Sequence, residues 1–221
     1  ADNAYGISGL CTDASLICVD WQAEEGQRWI SDVRIVFGVG YAIKAGAKVI
    51  NLSLGSSGSI PDGKAAYPQL WMDAEAALMS VYTALLISLG YDFIAVQSAG
   101  NGDKDGNPVD AFNNGTFSCL NNRNTLEIVP GVTKQDVLDR VIIVGSVRNR
   151  GNGEFVQSSF SNVGPNVSIC APGSSVYSCD LEERGYFSYK SGTSMAAPVV
   201  TGITALVWSA NPALTGAQVK A

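Results

Sequence analysis

Ser194 stands in the run Ser191-Gly-Thr-Ser-Met-Ala-Ala-Pro198, directly ahead of residues 199–210, whose apolar pattern predicts a helix. A hydroxyl at a helix N-terminus has unpaired backbone N–H groups and the positive end of the helix dipole beside it. Both favour an anion forming next to that hydroxyl. The small neighbours leave room for a substrate, and Pro198 is tolerated if it falls in the first turn, where amides lack helical partners. On physics alone the same residues also fit an ordinary Ser N-cap, the commonest use of serine at such a place. Asn101 lies between Gly100 and Gly102. Its side-chain amide can donate to a developing negative charge, and equally the residue suits a left-handed turn position. The chain has no histidine, so no imidazole base or imidazole metal ligand comes from it. Lys190 is close to Ser194 in sequence, and nothing else supports a Ser–Lys pair.

These residues need elements that hold them. Trp29, Val33, Val36, Phe37, Gly40 and Ile43 recur at helical spacing, which predicts a helix over 29–45 with Gly46 as its stop. A second helix is predicted over 72–89, stopped by Gly90. Apolar runs at 14–21, 48–54, 92–98 and 140–147 read as strands. Strands alternating with helices imply right-handed crossovers and a parallel sheet. The runs lack strict alternation, which fits strands covered on both faces. The expected fold is a three-layer α/β sandwich with a mostly parallel sheet, forming a single unit over 1–221. In such sheets the site lies at the carboxyl ends of the strands. The Gly-rich stretches at 55–58 and 99–102 fall there. The polar stretch 103–124 has no periodicity and reads as a mobile loop.

Composition excludes several classes. Hydrophobic residues are 46% and charged residues 15% of 221, which leaves neither a disordered chain nor a coiled coil. A net charge of −6 argues against a general nucleic-acid binder, which needs a basic face. The uncharged stretch 76–91 is shorter than the ~20 residues a spanning helix needs, and 191–219 is interrupted by Pro198, Gly202, Asn211 and Pro212. Both read as helices buried against a sheet, with no membrane. The five cysteines include no CxxC pair, which speaks against a structural zinc site. Cys170 and Cys179 flank a short loop and fit either a bridge or buried small side chains. Asp103, Asp105 and Asn107 sit at calcium-loop offsets, but Pro108 holds the required glycine position and Asn114 the final glutamate position. An α/β-hydrolase esterase needs glycine two residues after its serine, where Ala196 stands.

Gly192-Thr-Ser-Met-Ala-Ala-Pro198 resembles the nucleophile segment of subtilisin-like serine proteases. Val49-Ile-Asn-Leu-Ser-Leu-Gly55 resembles the family strand that pairs with the substrate peptide, and Ser98-Ala-Gly-Asn101 resembles its oxyanion-hole segment. Phe160-Ser-Asn-Val-Gly-Pro165 and Ala171-Pro-Gly173 resemble the stretches leading to the nucleophile. The segments follow in family order. The resemblance implies a serine endopeptidase acting on peptides or proteins by acyl transfer. It implies Ser194 as nucleophile, with Asn101 and the Ser194 N–H as oxyanion donors. It also implies that Ser53, Leu54, Gly55, Ser98, Ala99 and Gly100 line the pocket for the residue before the cut. Asp32 and Ile35 fall where the family lines a more distant pocket.

The family's Asp and His precede its Ser, and Asn3 to Gly9 resembles the loop after the His helix. The expectation is a chain that begins downstream of both, is inactive alone, and lacks the N-terminal strands of the sheet. An apolar edge left unpaired is a template for self-association. Asn3, Tyr5 and Ile7 fall in a family calcium loop; no cofactor is expected of this chain, with calcium reserved for a longer domain. The expected location is secreted or cell-surface rather than cytoplasmic. The rival reading is a non-catalytic peptide-binding or scaffold protein on a degenerate protease fold.

Overall fold

Val49–Leu52 (β1), Ile94–Ser98 (β2) and Val141–Asn149 (β3) are apolar runs rich in β-branched residues, and they pair in parallel. In a computed structural model of the chain, residues 7–20, 28–55, 69–103 and 105–221 are described. Ile50 stands opposite Ala95, and Val96 opposite Ile142. Ile169–Pro172 (β5) continues the sheet in parallel beside β3, while Phe155–Gln157 (β4) pairs antiparallel with the far end of β3. Among the described residues the result is a five-stranded, mostly parallel sheet with β1 at one edge. Val176–Cys179 (β6) and Phe187–Lys190 (β7) form a separate antiparallel hairpin.

Successive strand residues point to opposite faces, and here both faces are covered. Ile94, Val96, Ile142 and Val144 pack on one side against Ala196, Ala197, Val200 and Trp208 of the helix Thr193–Ala210 (α4). Phe93, Ala95, Val141 and Ile143 pack on the other against Val39 and Ile43 of Arg28–Lys44 (α1) and Ala76 and Met79 of Gln69–Ser88 (α2). The expected three-layer α/β architecture is the one observed. Gly46 and Gly90, at φ +99° and +85°, end α1 and α2 in the left-handed conformation glycine adopts without strain.

Two short helices have capping boxes, Thr133 with Asp136 for Lys134–Leu138 (α3) and Thr215 with Gln218 for Gly216–Lys220 (α5). Just ahead of β2, the Asp92 carboxylate accepts the Gly216 N–H with both oxygens at 3.0 Å and pairs with Arg140 at 3.2 Å.

Three expectations are corrected. Residues 14–20 form no strand, because no described strand pairs with them and an extended backbone without a ladder leaves its polar groups unmet. The stretch 103–124 is not a mobile loop throughout. It contains two 3₁₀ turns, Ala111–Asn114 and Thr116–Cys119, with Ala111, Phe117 and Cys119 in the core. Its backbone is held from outside: the Glu75 carboxylate accepts the Thr116 N–H at 2.6 Å, and Gln97 Oε1 accepts the Phe117 N–H at 2.8 Å. Third, α4 starts at Thr193, six residues before the expected 199, so Pro198 lies inside it.

Leu70–Ser88 and Thr193–Ala210 are long and apolar enough to cross a membrane. In the fold α4 lies against β1, β2, β3 and β5, and α2 against α3 and the turn Thr116–Cys119. Beside β1 runs a cavity of about 900 Å³ lined by Leu16, Ile35, Val49, Asn51, Leu52 and Trp208.

Candidate active site

Ser194 is the second residue of α4, and the N-cap is Gly192, which has no side chain to cap with. The ordinary Ser N-cap is therefore not what the structure contains. At this position a backbone N–H has no intrahelical acceptor, and among the described residues neither the Ser194 N–H nor its hydroxyl has a hydrogen-bond partner. The side chain is half-buried.

Asn101 follows the end of β2. Its Oδ1 accepts the Thr193 N–H at 2.8 Å and the Thr193 hydroxyl at 2.9 Å, and Thr193 Oγ1 accepts the Gly100 N–H at 3.1 Å. Thr193 is fully buried. Two donors on Oδ1 fix which way the amide faces, so Nδ2 is the end left without a partner among the described residues. A Cβ on Gly192 would stand 3.3 Å from that Nδ2, so glycine there keeps the approach to the amide open. The turn itself is held by Asn162. Its Nδ2 donates to Ala99 O at 2.9 Å, and its Oδ1 accepts the N–H of Gly102 at 2.9 Å and of Val109 at 3.2 Å. Gly100, at φ +97°, has no room for a side chain beside that amide.

The end of β1 reaches the same place. Pro198 has no N–H to offer the carbonyl four residues earlier, which is Ser194. Ser53 Oγ takes that role, donating to Ser194 O at 2.9 Å. Asn51 Nδ2 donates to Ser53 Oγ at 3.0 Å, and the Thr201 hydroxyl donates to Asn51 Oδ1 at 2.9 Å. A proline inside a helix is thus accommodated by a strand on the neighbouring layer.

The remaining residues expected at the pocket also converge. Ser98 Oγ and Gln97 Nε2 each donate to Leu54 O at 3.2 Å, which ties the segment 53–55 to 98–100. Ser53 and Leu54 are half-buried and Gly55 is exposed, whereas Ser98, Ala99 and Gly100 are buried. The Ala99 N–H bonds Val144 O, and the Gly100 carbonyl bonds the Asn162 N–H. Ser98–Gly100 therefore form a wall rather than a free backbone edge for a peptide. Ile35 packs against the core cluster, and the side chain of Asp32 lies outside the described residues.

Lys190 Nζ donates to Asp180 Oδ1 at 2.9 Å. The Ser188 hydroxyl and the Lys190 ammonium hold the Asp180 carboxyl well below the usual carboxylate range. Lys190 is thus engaged as the counterion of Asp180. The five cysteines are unbridged; Cys170 and Cys179 are exposed, so neither expected fate of that pair is observed. Cys119 is buried, and burial followed by the nearby Glu75 charge pushes its thiol far up. Asp103 Oδ1 accepts the N–H groups of Asp105 and Asn107 at 2.9 Å, the geometry of a polar turn.

Thr193 and Asn162 are the site residues that sequence reasoning did not single out. Thr193 and Asn162 lie inside quoted motifs, and that position was their only local signal.

An α/β sandwich with an unpartnered serine hydroxyl, its own N–H and an oriented amide at the carboxyl ends of parallel strands is an arrangement suited to acyl transfer. The chain belongs to the Subtilase family, whose sequence model matches residues 1–221. It is 31% identical over 219 residues to Subtilisin DY of Bacillus licheniformis, covering 99% of this chain and 63% of that protein. It is 29% identical over 215 residues to Subtilisin-like protease 3 of Plasmodium falciparum (isolate 3D7), covering 97% of this chain and 24% of that one. A crystal structure of a cold adapted subtilisin-like serine proteinase superposes with a TM-score of 0.55 at 26% identity, over 85% of this chain and 52% of the other.

Proposed function

We propose that this chain is the nucleophile-bearing part of a serine endopeptidase that cleaves peptide or protein substrates through an acyl-enzyme on Ser194. The observation that carries the reading is the Asn101–Thr193 pairing. It turns Asn101 Nδ2 away from Thr193, and among the described residues neither that Nδ2, nor the N–H of Ser194 in the first turn of α4, nor the Ser194 hydroxyl has a partner. Ser194 Oγ attacks the scissile carbonyl carbon. The carbonyl oxygen gains negative charge and takes the two donors. Collapse expels the amine and leaves an ester, which water then hydrolyses. A base must take the hydroxyl proton and return it to the leaving amine. This chain has no histidine, so the base comes from outside its 221 residues, and the chain alone is inactive. No cofactor takes part in these steps.

The same reading places the protein outside the cell or at its surface. One relative, 43% identical over 82 residues, is the Halolysin-like extracellular serine protease Nep of Natrialba magadii.

The test uses the natural full-length protein beside the 221-residue chain. Fluorophosphonate labelling at Ser194 and casein turnover are expected for the first and absent for the second, and Ser194→Ala abolishes both. A full-length protein that binds peptides but neither labels nor turns over would favour a non-catalytic peptide-binding protein instead.

A further inference from the structure

Three asparagines of this chain are each followed by glycine: Asn101-Gly102, Asn114-Gly115 and Asn152-Gly153. An asparagine so placed can convert itself. The backbone nitrogen of the next residue attacks the side-chain Cγ and loses its proton. The N–Cγ bond forms, and the Cγ–Nδ2 bond breaks to release ammonia. Water then opens the cyclic imide to aspartate or isoaspartate. Glycine in second place favours this, because it has no Cβ in the way and a freely turning backbone. A nitrogen whose proton is held in a hydrogen bond is slow to attack.

The three pairs differ in that hydrogen bond. Gly102 N–H donates to Asn162 Oδ1 at 2.9 Å, and Asn162 is itself 2% exposed. Gly115 N–H donates to Phe112 O at 3.4 Å, and the Asn114 side chain is buried with Nδ2 bonded to Ser98 O at 2.7 Å. Gly153 N–H has no partner among the described residues. Asn152, at φ +54°, stands exposed in the turn between β3 and β4, and its side chain is also unpartnered among them. Exposure alone would treat Asn101 and Asn152 alike, since both are open to water. The bonds separate them. Besides the clamp on Gly102, the two bonds from Thr193 to Asn101 Oδ1 keep Cγ from swinging towards the next nitrogen.

We propose that Asn152 is a site of spontaneous deamidation, and that Asn162 keeps Asn101 from the same conversion. An aspartate at 101 would put a carboxylate, which only accepts, where an amide now offers a donor. At 152 the same change adds a charge to an exposed turn. Asn162 thus preserves the chemical identity of Asn101 as well as the shape of its loop.

The natural full-length protein carrying Ser194→Ala, which stops self-digestion, is aged at mildly alkaline pH. Peptide mass mapping follows the exchange of amide for acid at each position. Asn152 is expected to convert at least about 10-fold faster than Asn101, the scale set by hydrogen bonds that must break first. In denaturant the three asparagines should convert at similar rates. In Asn162→Ala, conversion of Asn101 should rise at least about 10-fold while Asn114 keeps its amide. An Asn152 that stays an amide, or an Asn101 that converts as fast as Asn152, overturns the proposal. So does an unchanged rate at Asn101 in Asn162→Ala. If Asn101 and Asn114 convert together in that variant, the fold as a whole gives the protection, and the role of Asn162 is overturned. None of these readouts needs peptide turnover, so the endopeptidase reading stands or falls separately.

Discussion

The hydroxyl of Ser53 donates to the carbonyl of Ser194 at 2.9 Å, in place of the helical N–H that Pro198 lacks. Ser53→Ala is expected to cost about 1 kcal/mol, the net worth of one such bond. In Pro198→Ala, residue 198 regains an N–H and the carbonyl has a second donor. The cost of Ser53→Ala should then fall below about 0.5 kcal/mol, a coupling that denaturant unfolding of the four proteins of the cycle measures. Equal costs in both backgrounds would show that the two groups do not share the carbonyl.

Asn101→Ala in the full-length protein is expected to lower kcat about 10²–10³-fold with KM little changed, the loss seen when such a donor is removed from a subtilisin. Thr193→Val keeps the backbone donor to Asn101 but removes the hydroxyl. It should lower kcat by a smaller factor, and Thr193→Ser should restore it. A change confined to KM in either variant would place Asn101 in ground-state binding.

Asp180 titrates lower in the folded chain than in the unfolded one, first through the Ser188 hydroxyl and then through Lys190. A depressed carboxylate stabilises the fold above the unfolded value of about 3.9, and that stabilisation is lost as pH falls below it. Between pH ~5 and ~2 the melting temperature of the natural chain should therefore fall more steeply than that of Asp180→Asn. Parallel curves would mean that the carboxylate is equally well solvated in both states.

Cys119 is buried with its thiol pushed up, while Cys18 and Cys179 are exposed. Iodoacetamide at pH ~8 should modify Cys18 and Cys179 in the native chain and reach Cys119 only after denaturation, because the thiolate is the reactive form. Peptide mass mapping reads this directly. Native modification of Cys119 would mean that the turn Thr116–Cys119 opens.

Among the described strands β1 lies at the edge of its sheet. Ile94 N–H bonds Lys48 O, so in the parallel ladder the N–H groups of Val49 and Asn51 face the open side. The isolated chain should therefore self-associate, and Val49→Pro, which removes one outward donor at the first residue of the strand, should weaken this. Light scattering after size-exclusion chromatography decides; a monomer at all concentrations refutes it.

Much of the scaffold was legible because burial writes itself into local pattern. The apolar runs of β1, β2 and β3 and the glycine stops at Gly46 and Gly90 need no distant partner to be recognised. The helix α4 was read short because a proline marks a boundary locally, and the hydroxyl that relieves it, on Ser53, lies 141 residues away. The turns at 111–119 were invisible for the same reason: their partners Glu75 and Gln97 belong to α2 and β2. The hairpin β6–β7 was missed because its strands are short and largely exposed, which leaves little apolar alternation to find. Ser194 and Asn101 were singled out through motif. The orientation of the Asn101 amide was not, since it depends on Thr193 lying against it in space.

The Asp92 carboxylate, with Arg140 and the amide of Gly216, joins the amino ends of β2 and β3 to the last helix. Asn101 stands beyond the opposite end of β2, whose five residues alone span about 16 Å at ~3.3 Å per residue. The molecule is thus anchored at one pole and carries its candidate site at the other. Loops at the site's pole can be rewritten through mutation without loosening the anchorage, and the anchorage can be reinforced without disturbing the candidate site.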